Sequence, residues 1–159
     1  MIKIYVPQDT TAVALGADQI ADKVLELTKK QKRSVDIVRN GSRGLFWLEP
    51  MIEIESNQGR IALGPVAIED VDSIIQALDD PSQHPLSVGP VSEISYLASQ
   101  QRLTFARAGV GDPICLDNYK QLNGFKGLTT ALSMSQQQIV DQIKESGLRG
   151  RGGAAFPAG

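Results

Sequence analysis

An α/β unit of order β-α-β-β-β-α over residues 1–80, joined through a linker at 81–95 to a mainly helical segment at 96–159, is the architecture the sequence predicts. Three observations carry it: short runs alternating apolar with polar residues at the strand period of two, apolar residues at the i, i+3, i+4, i+7 spacing of a helix face, and a proline-, glycine- and serine-rich stretch between the two parts. The chain's 159 residues, 42% hydrophobic and 21% charged, supply apolar material for one ordinary domain or two small ones, which excludes a disordered tail.

Taken in order, Ile2-Lys3-Ile4-Tyr5-Val6 suits a half-buried strand, closed by Pro7. Asp9, Thr10 or Thr11 then caps a helix whose Ile20, Val24 and Leu27 form one buried stripe. Lys29, Lys30, Lys32 and Arg33 end that helix, where cations complement the negative end of its dipole, so the basic run reads as a solvated terminus. Val35 to Val38 is a second strand. Met51 to Glu55 and Arg60 to Leu63 flank Asn57-Gln58-Gly59 as a hairpin. Val71, Ile74, Ile75 and Leu78 mark an amphipathic helix stopped by Asp80-Pro81.

Pro81, Pro85, Gly89 and Pro90 give residues 81–95 the composition of a linker, and His84 within it reads as exposed and without a nucleophile partner. Beyond it, Leu103 to Arg107 reads as a short extended stretch, Asp112-Pro113 as the start of a helical turn, and Leu128, Ala131 and Leu132 as a helix face. Ser135 with Gln138 forms a capping box that starts a helix at Gln136, and Gly147 stops it.

Composition restricts the chemistry. A formal charge of −2 gives no overall positive field for nucleic acid or an anionic membrane, and no apolar run approaches a membrane span. The single cysteine, Cys115, excludes a disulfide framework within the chain and a thiolate-held cluster, and reads as a small core residue. These features together lead us to expect a cytoplasmic protein.

The segment Ser42-Arg43-Gly44-Leu45-Phe46-Trp47-Leu48-Glu49-Pro50, followed by the hairpin and by Ile61 to Asp72, resembles the thioredoxin-like 2Fe-2S ferredoxin family. In that family cysteines stand eight and four residues before the proline, where this chain has Ser42 and Phe46, and the other two cysteines have no counterpart. The resemblance implies a ferredoxin-like scaffold without cluster ligands, used for docking, packing or spacing, with Phe46 repacking the vacated site.

The most informative segment is the last. Five of the fifteen glycines fall within Gly147-Leu148-Arg149-Gly150-Arg151-Gly152-Gly153-Ala154-Ala155-Phe156-Pro157-Ala158-Gly159. Closely spaced glycines let backbone N–H groups wrap an anion, Arg149 and Arg151 add charge for phosphate, and Phe156 offers a face for a ring to stack on. The loose G-x-G-x-x-A match follows a helix where a Rossmann turn follows a strand; a P-loop lacks its Gly-Lys-Ser/Thr ending; an RNA-binding repeat would need more copies and a basic surplus. A flexible terminus without a ligand remains as an alternative.

Asp112-Pro113, Tyr119, Gly124, Gly127-Leu128, Ala131-Leu132, Met134, Ile139-Val140, Ile143-Lys144 and Ser146 to Ala154 together resemble the start of the FMN- and NADH-binding flavoprotein subunit of the complex I family. Ala155 departs from it, standing where many members carry glycine. The resemblance implies that Gly150, Arg151, Gly152, Gly153, Ala154 and Phe156 contact NAD and border FMN, and that this segment binds no metal. It further implies that a 4Fe-4S cluster belongs to a remainder following Gly159, so that we expect the chain to be an N-terminal portion of a longer polypeptide, inactive alone.

A cluster-less ferredoxin-like domain joined to this flavoprotein start resembles the diaphorase (beta) subunits of NAD-dependent, molybdenum-containing formate dehydrogenases. Those imply as partners a molybdenum and iron–sulfur alpha subunit and a 2Fe-2S gamma subunit, with no nucleic acid and no membrane. The alternatives are the diaphorase subunit of an NAD-reducing hydrogenase or a complex I-like enzyme, and a non-enzymatic docking module.

Overall fold

The structure is a computed structural model that describes residues 1–159, which form two compact units, 1–118 and 119–159. The first is built on a five-stranded sheet. Strand β1 (Ile2–Tyr5) pairs in parallel with β2 (Val35–Val38) and antiparallel with β3 (Ile52–Ser56). Strands β3 and β4 (Gly59–Leu63) form the expected hairpin, and β5 (Ser87–Pro90) pairs antiparallel with β4, giving the order β2-β1-β3-β4-β5. The α/β class is thus as predicted, with one strand more.

That strand lies inside the stretch whose composition reads as linker. Its Gly89 and Pro90 are tolerable because β5 is an edge strand, where a missing N–H leaves no ladder bond unmade. The first predicted helix is two helices, α1 (Thr10–Ala14) and α2 (Ala17–Lys30), separated by Gly16 at φ +104°, a left-handed conformation that ends one helix and starts the next. Asp9 caps α1 by accepting from the N–H groups of Thr11 and Ala12.

One sheet face packs on α2 and on α3 (Val71–Gln76). Ile4, Ile52, Ile54, Ile61 and Leu63 from the strands meet Ile20, Val24, Ile74 and Ile75 from the helices in the main core. Alternation then places Tyr5, Glu53, Arg60 and Ala62 on the other face. A smaller cluster of Leu45, Met51, Ala62 and Val91 covers part of that face, with Leu48, Ile94 and Leu97 packed against it, the last in α4 (Ser95–Ala98).

The centre of this second face is ionic. Glu53 is 0% exposed, and its carboxylate takes a paired contact from Arg43, Nε to Oε1 at 2.7 Å and Nη2 to Oε2 at 2.9 Å. Arg60 Nη1 adds a third contact to Oε2 at 3.2 Å while its guanidinium stacks 3.4 Å from the centre of the Tyr5 ring. Although Arg60 stands opposite Glu55 in the ladder, it reaches diagonally to Glu53. Residues 103–107, expected to be extended, form turns instead. Arg60 Nη2 donates to the Val110 carbonyl at 2.7 Å and Asn40 Nδ2 to the Gly109 carbonyl at 3.0 Å, tying the end of this turn-rich segment to the sheet.

The second unit contains α6 (Lys126–Leu132) and α7 (Gln136–Glu145), with α5 (Leu116–Gln121) running through the junction. The capping box is present as predicted: Ser135 Oγ accepts from Gln138 N, and Gln138 Oε1 accepts from Ser135 N. Leu128 and Leu132 are exposed, so the predicted face on α6 exists without cover from its own unit.

Replacing Arg43 with Ala leaves the buried Glu53 carboxylate with a single long contact. Urea unfolding followed by circular dichroism is expected to register a loss of about 3 kcal/mol, the scale for breaking one side of a buried ion pair. A loss under about 1 kcal/mol would mean that Arg60 alone suffices.

Candidate functional site

Two segments carry the sequence-predicted chemistry, one in each unit. In the first, residues 42–50 form the loop where the resemblance places cluster ligands. Ser42 Oγ donates to Glu49 Oε1 at 2.8 Å and accepts from Gly44 N at 3.0 Å, while Glu49 Oε2 accepts from Met51 N at 3.0 Å. Ser42 is thus committed to closing the loop. With one cysteine in the chain, and that one half-buried at position 115, the residues present do not fit a 2Fe-2S cluster.

Phe46 does not repack the interior as expected: it is 61% exposed. The reason is the 3-10 turn Phe46–Leu48, in which residues three apart eclipse, so that Leu45 and Leu48 face the sheet while Phe46 and Trp47 face out. Trp47 makes an edge-on contact with Tyr96, ring centres 5.3 Å apart.

Burial pushes the Glu49 carboxyl above its ordinary value, assisted by the negative charges of Asp9 and Glu53 and opposed by the hydrogen bonds from Met51 and Ser42. Nearby polarity is incompletely paired, since Asp9 Oδ2 and Asn40 Oδ1 are buried without a partner.

His84 is 8% exposed, contrary to the expectation of a solvated linker histidine, and its Nε2 lies 3.0 Å from Ser73 Oγ. The polarity is wrong for a nucleophile. Leu86 N donates to His84 Nδ1, so the neutral ring carries its proton on Nε2 and donates to Ser73, whose hydroxyl in turn donates to the Asp70 carbonyl. This pair fastens α3 to the segment leading into β5.

In the second unit, Gly147, at φ +64°, follows the C-cap Ser146 of α7, and residues 148–158 fold back as a narrow loop. Arg149 bridges antiparallel to Pro157, Gly150 N donates to the Phe156 carbonyl at 2.8 Å, and Ala158 N donates to the Leu148 carbonyl at 3.0 Å. Gly150 and Phe156, both predicted site residues, are therefore brought together at the neck. At the tip, the backbone N–H groups of Arg151, Gly152, Gly153 and Ala154 have no acceptor within the chain, and a Cβ at Gly152 or Gly153 would meet open space. The Phe156 ring is 77% exposed. Successive unpaired amides beside two arginines suit an anionic group such as a dinucleotide phosphate, so the residues present fit the ligand class expected of them.

Ala155 adopts φ +46°, a left-handed conformation that its Cβ disfavours and that explains why glycine suits this position. The Glu53 cluster, in contrast, is absent from the sequence reading. Its only signal is an acidic residue between Ile52 and Ile54 on a strand buried on both faces.

No protein-family model matches the chain. Part of it is 47% identical over 60 residues to the NADP-reducing hydrogenase protein HndC of Solidesulfovibrio fructosivorans, covering 38% of this chain and 12% of that protein. An NADH-quinone oxidoreductase subunit of Streptomyces coelicolor is 52% identical over 44 residues, covering 28% of this chain and 10% of the relative; its Escherichia coli counterpart is 48% identical over 48 residues, covering 30% and 11%. The matched segments thus span about a tenth of the length of these curated relatives. Among solved structures, the wild-type thioredoxin-like 2Fe-2S ferredoxin of Aquifex aeolicus superposes with a TM-score of 0.46 at 15% identity, covering 56% of this chain and 97% of the ferredoxin.

Glu49 generates a pH test. A raised folded value means that the native chain holds this proton more tightly than the unfolded one. Its contribution to stability is therefore full below 4.5, the ordinary value, and is lost as pH rises through the folded value. In urea titrations between pH 4 and 7, Glu49→Gln is expected to flatten the decline in stability shown by the parent; parallel curves would remove Glu49 as its source. Ala155→Gly is expected to stabilise the second unit by about 1 kcal/mol through relief of the left-handed backbone, read as slower amide exchange at Gly150 and Ala158.

Proposed function

We propose that this chain is part of the NADH- and FMN-binding subunit of a cytoplasmic NAD-dependent formate dehydrogenase, an oxidoreductase subunit that passes electrons from iron–sulfur clusters through FMN to NAD+. The observation that carries the reading is the identity of about half the residues in matched segments of 44 to 48 residues with NADH-quinone oxidoreductase subunits of two organisms. It is supported by a glycine-rich loop whose tip presents four unpaired backbone amides.

In this reading residues 1–80 are a ferredoxin-like domain without cluster ligands, 81–95 lead away from it while adding β5 to its sheet, and 96–159 begin the flavoprotein domain. The amides of Arg151 to Ala154 hold a phosphate of the dinucleotide, with Gly150 setting the neck of the loop. Arg151 adds charge, and the Phe156 ring stacks on a base or a flavin. FMN, when bound, supplies hydride exchange with the nicotinamide and single-electron exchange with clusters. A 4Fe-4S cluster belongs to other parts of the polypeptide, and the partners are the molybdenum-bearing alpha and 2Fe-2S gamma subunits. No helix of the structure is long and apolar enough to cross a membrane.

A second reading, the diaphorase subunit of a hydrogenase, is favoured by the 60-residue match to HndC. The two differ in the electron source, which purified complexes distinguish by reducing NAD+ with formate or with hydrogen.

The complete polypeptide to which the chain belongs is expected to show flavin absorbance and NADH-dependent dye reduction; a colourless, inactive preparation would favour a docking module. Phe156→Ala is expected to raise the KM for NADH about tenfold while changing FMN retention less, the scale of losing one aromatic contact. An equal effect on both, or none, would refute stacking on the dinucleotide.

A further inference from the structure

The face of the sheet that carries Glu53 also carries an open cavity of about 410 Å³, bordered by Arg43, Arg60 and Arg102 and walled by Val91, Leu97 and Ala108. No acidic side chain lines it. Glu53 beneath it is shared by Arg43 and Arg60, and Glu55 stands opposite Arg60 in the ladder, so Arg102 is the one guanidinium bordering the cavity that has no carboxylate partner. Partly buried cations are costly to leave without a counter-charge, and nothing in the cavity lining supplies one.

The hydrogen-bonding capacity is similarly unspent. Arg43 uses Nε and Nη2 on Glu53; Arg60 uses Nη1 and Nη2 on Glu53, Gly109 and Val110; Arg102 uses Nε on Gln100 Oε1 and Nη2 on the Arg43 carbonyl, both at 2.8 Å. Nη1 of Arg43, Nη1 of Arg102 and Nε of Arg60 remain as donors. The arginines are also held in place before any ligand arrives. Gly109, at φ +74°, lies so close to Arg43 that a Cβ there would come 2.5 Å from its Cδ, and Arg102 is tied at two nitrogens.

We propose that this cavity binds a small phosphorylated anion, its phosphate on Arg102 and Arg43 and its organic part against Val91 and Leu97. A phosphate supplies the anionic partner that Arg102 lacks, guanidinium forks match its oxygens, and the volume falls within the range of about 300–1,000 Å³ for small-ligand sites. The site lies wholly within the first unit and is separate from the glycine-rich loop of the proposed function. Arg102 is its discriminating residue because, unlike Arg43 and Arg60, it does not neutralise Glu53.

The test is calorimetric titration of inorganic pyrophosphate into the complete polypeptide at fixed ionic strength, with sodium chloride as the matched salt control. Saturable binding is expected, weakened about tenfold to a hundredfold by Arg102→Gln, the range for losing a charge-assisted hydrogen bond, and less by Arg102→Lys. Arg151→Gln, on the glycine-rich loop, is expected to leave the Arg102-dependent part of this binding unchanged. Circular dichroism verifies that each variant is folded; should Arg102→Gln fail this check, the Arg102→Lys comparison decides. No saturable heat, or equal affinity in parent and Arg102 variants, overturns the proposal. Binding lost with Arg151→Gln and kept with Arg102→Gln also overturns it, assigning the anion to the loop and leaving the proposed function standing. Loss of flavin and NADH activity with pyrophosphate binding intact would instead remove the proposed function alone.

Discussion

The carboxylate of Glu53 is the constraint around which the second face of the sheet is arranged. It has no solvent contact, so its charge is tolerable only because three charge-assisted hydrogen bonds reach it from two arginines. Those arginines come from different places, Arg60 from the neighbouring strand and Arg43 from the loop after β2. A single buried charge therefore fixes the loop at 42–50, and through Arg60 and Gly109 it also fixes the turns at 103–110. One face of the sheet is held by the nonspecific attraction of aliphatic side chains, whereas the other depends on directional contacts that admit few alternative packings.

This division explains how much of the fold was legible. β1, the β3–β4 hairpin, α3 and α7 follow from periodicity and capping, because their side chains obey the local rule that the sequence displays. β5 escaped notice because Pro85, Gly89 and Pro90 read as a linker, and only the sheet order reveals an edge position where prolines do little harm. The break at Gly16 is not legible because the capping residues at 9–11 and the stripe of Ile20, Val24 and Leu27, which lies wholly in α2, read as one helix. Leu103 to Arg107 has strand-like residues but gains no ladder partner, and β-propensity without a neighbouring strand does not make a strand.

The loop at 42–50 adds a further lesson about substituted ligand positions. Replacing a cysteine by an apolar residue suggests collapse into the space a cluster leaves, yet Leu45, Leu48 and Met51 already fill the sheet side of the loop. Phe46 consequently has nowhere to turn except outward. Ser42 accommodates its place differently, spending its hydroxyl on Glu49 and Gly44 to hold the loop shut. The loop is thus closed by the hydrogen bonds of Ser42 and Glu49 together with the packing of Leu45, Leu48 and Met51.

The two proposed anion sites, both bearing arginines, differ in how far each is legible in the sequence. In the glycine-rich loop, binding capacity resides in the backbone, and the residue type that exposes backbone amides is glycine itself, so the chemistry is written in consecutive letters. Around Glu53 it resides in side chains from positions 43, 60 and 102, which no spacing rule connects. Their convergence follows from alternation on β4, from a turn after β2 and from the way Gly109 makes room for the Arg43 stem, and each of those depends on the sheet having formed. A site made of main chain is therefore visible before folding, while a site made of converging charges becomes visible only through the fold that pairs some of them with a carboxylate and leaves Arg102 without one.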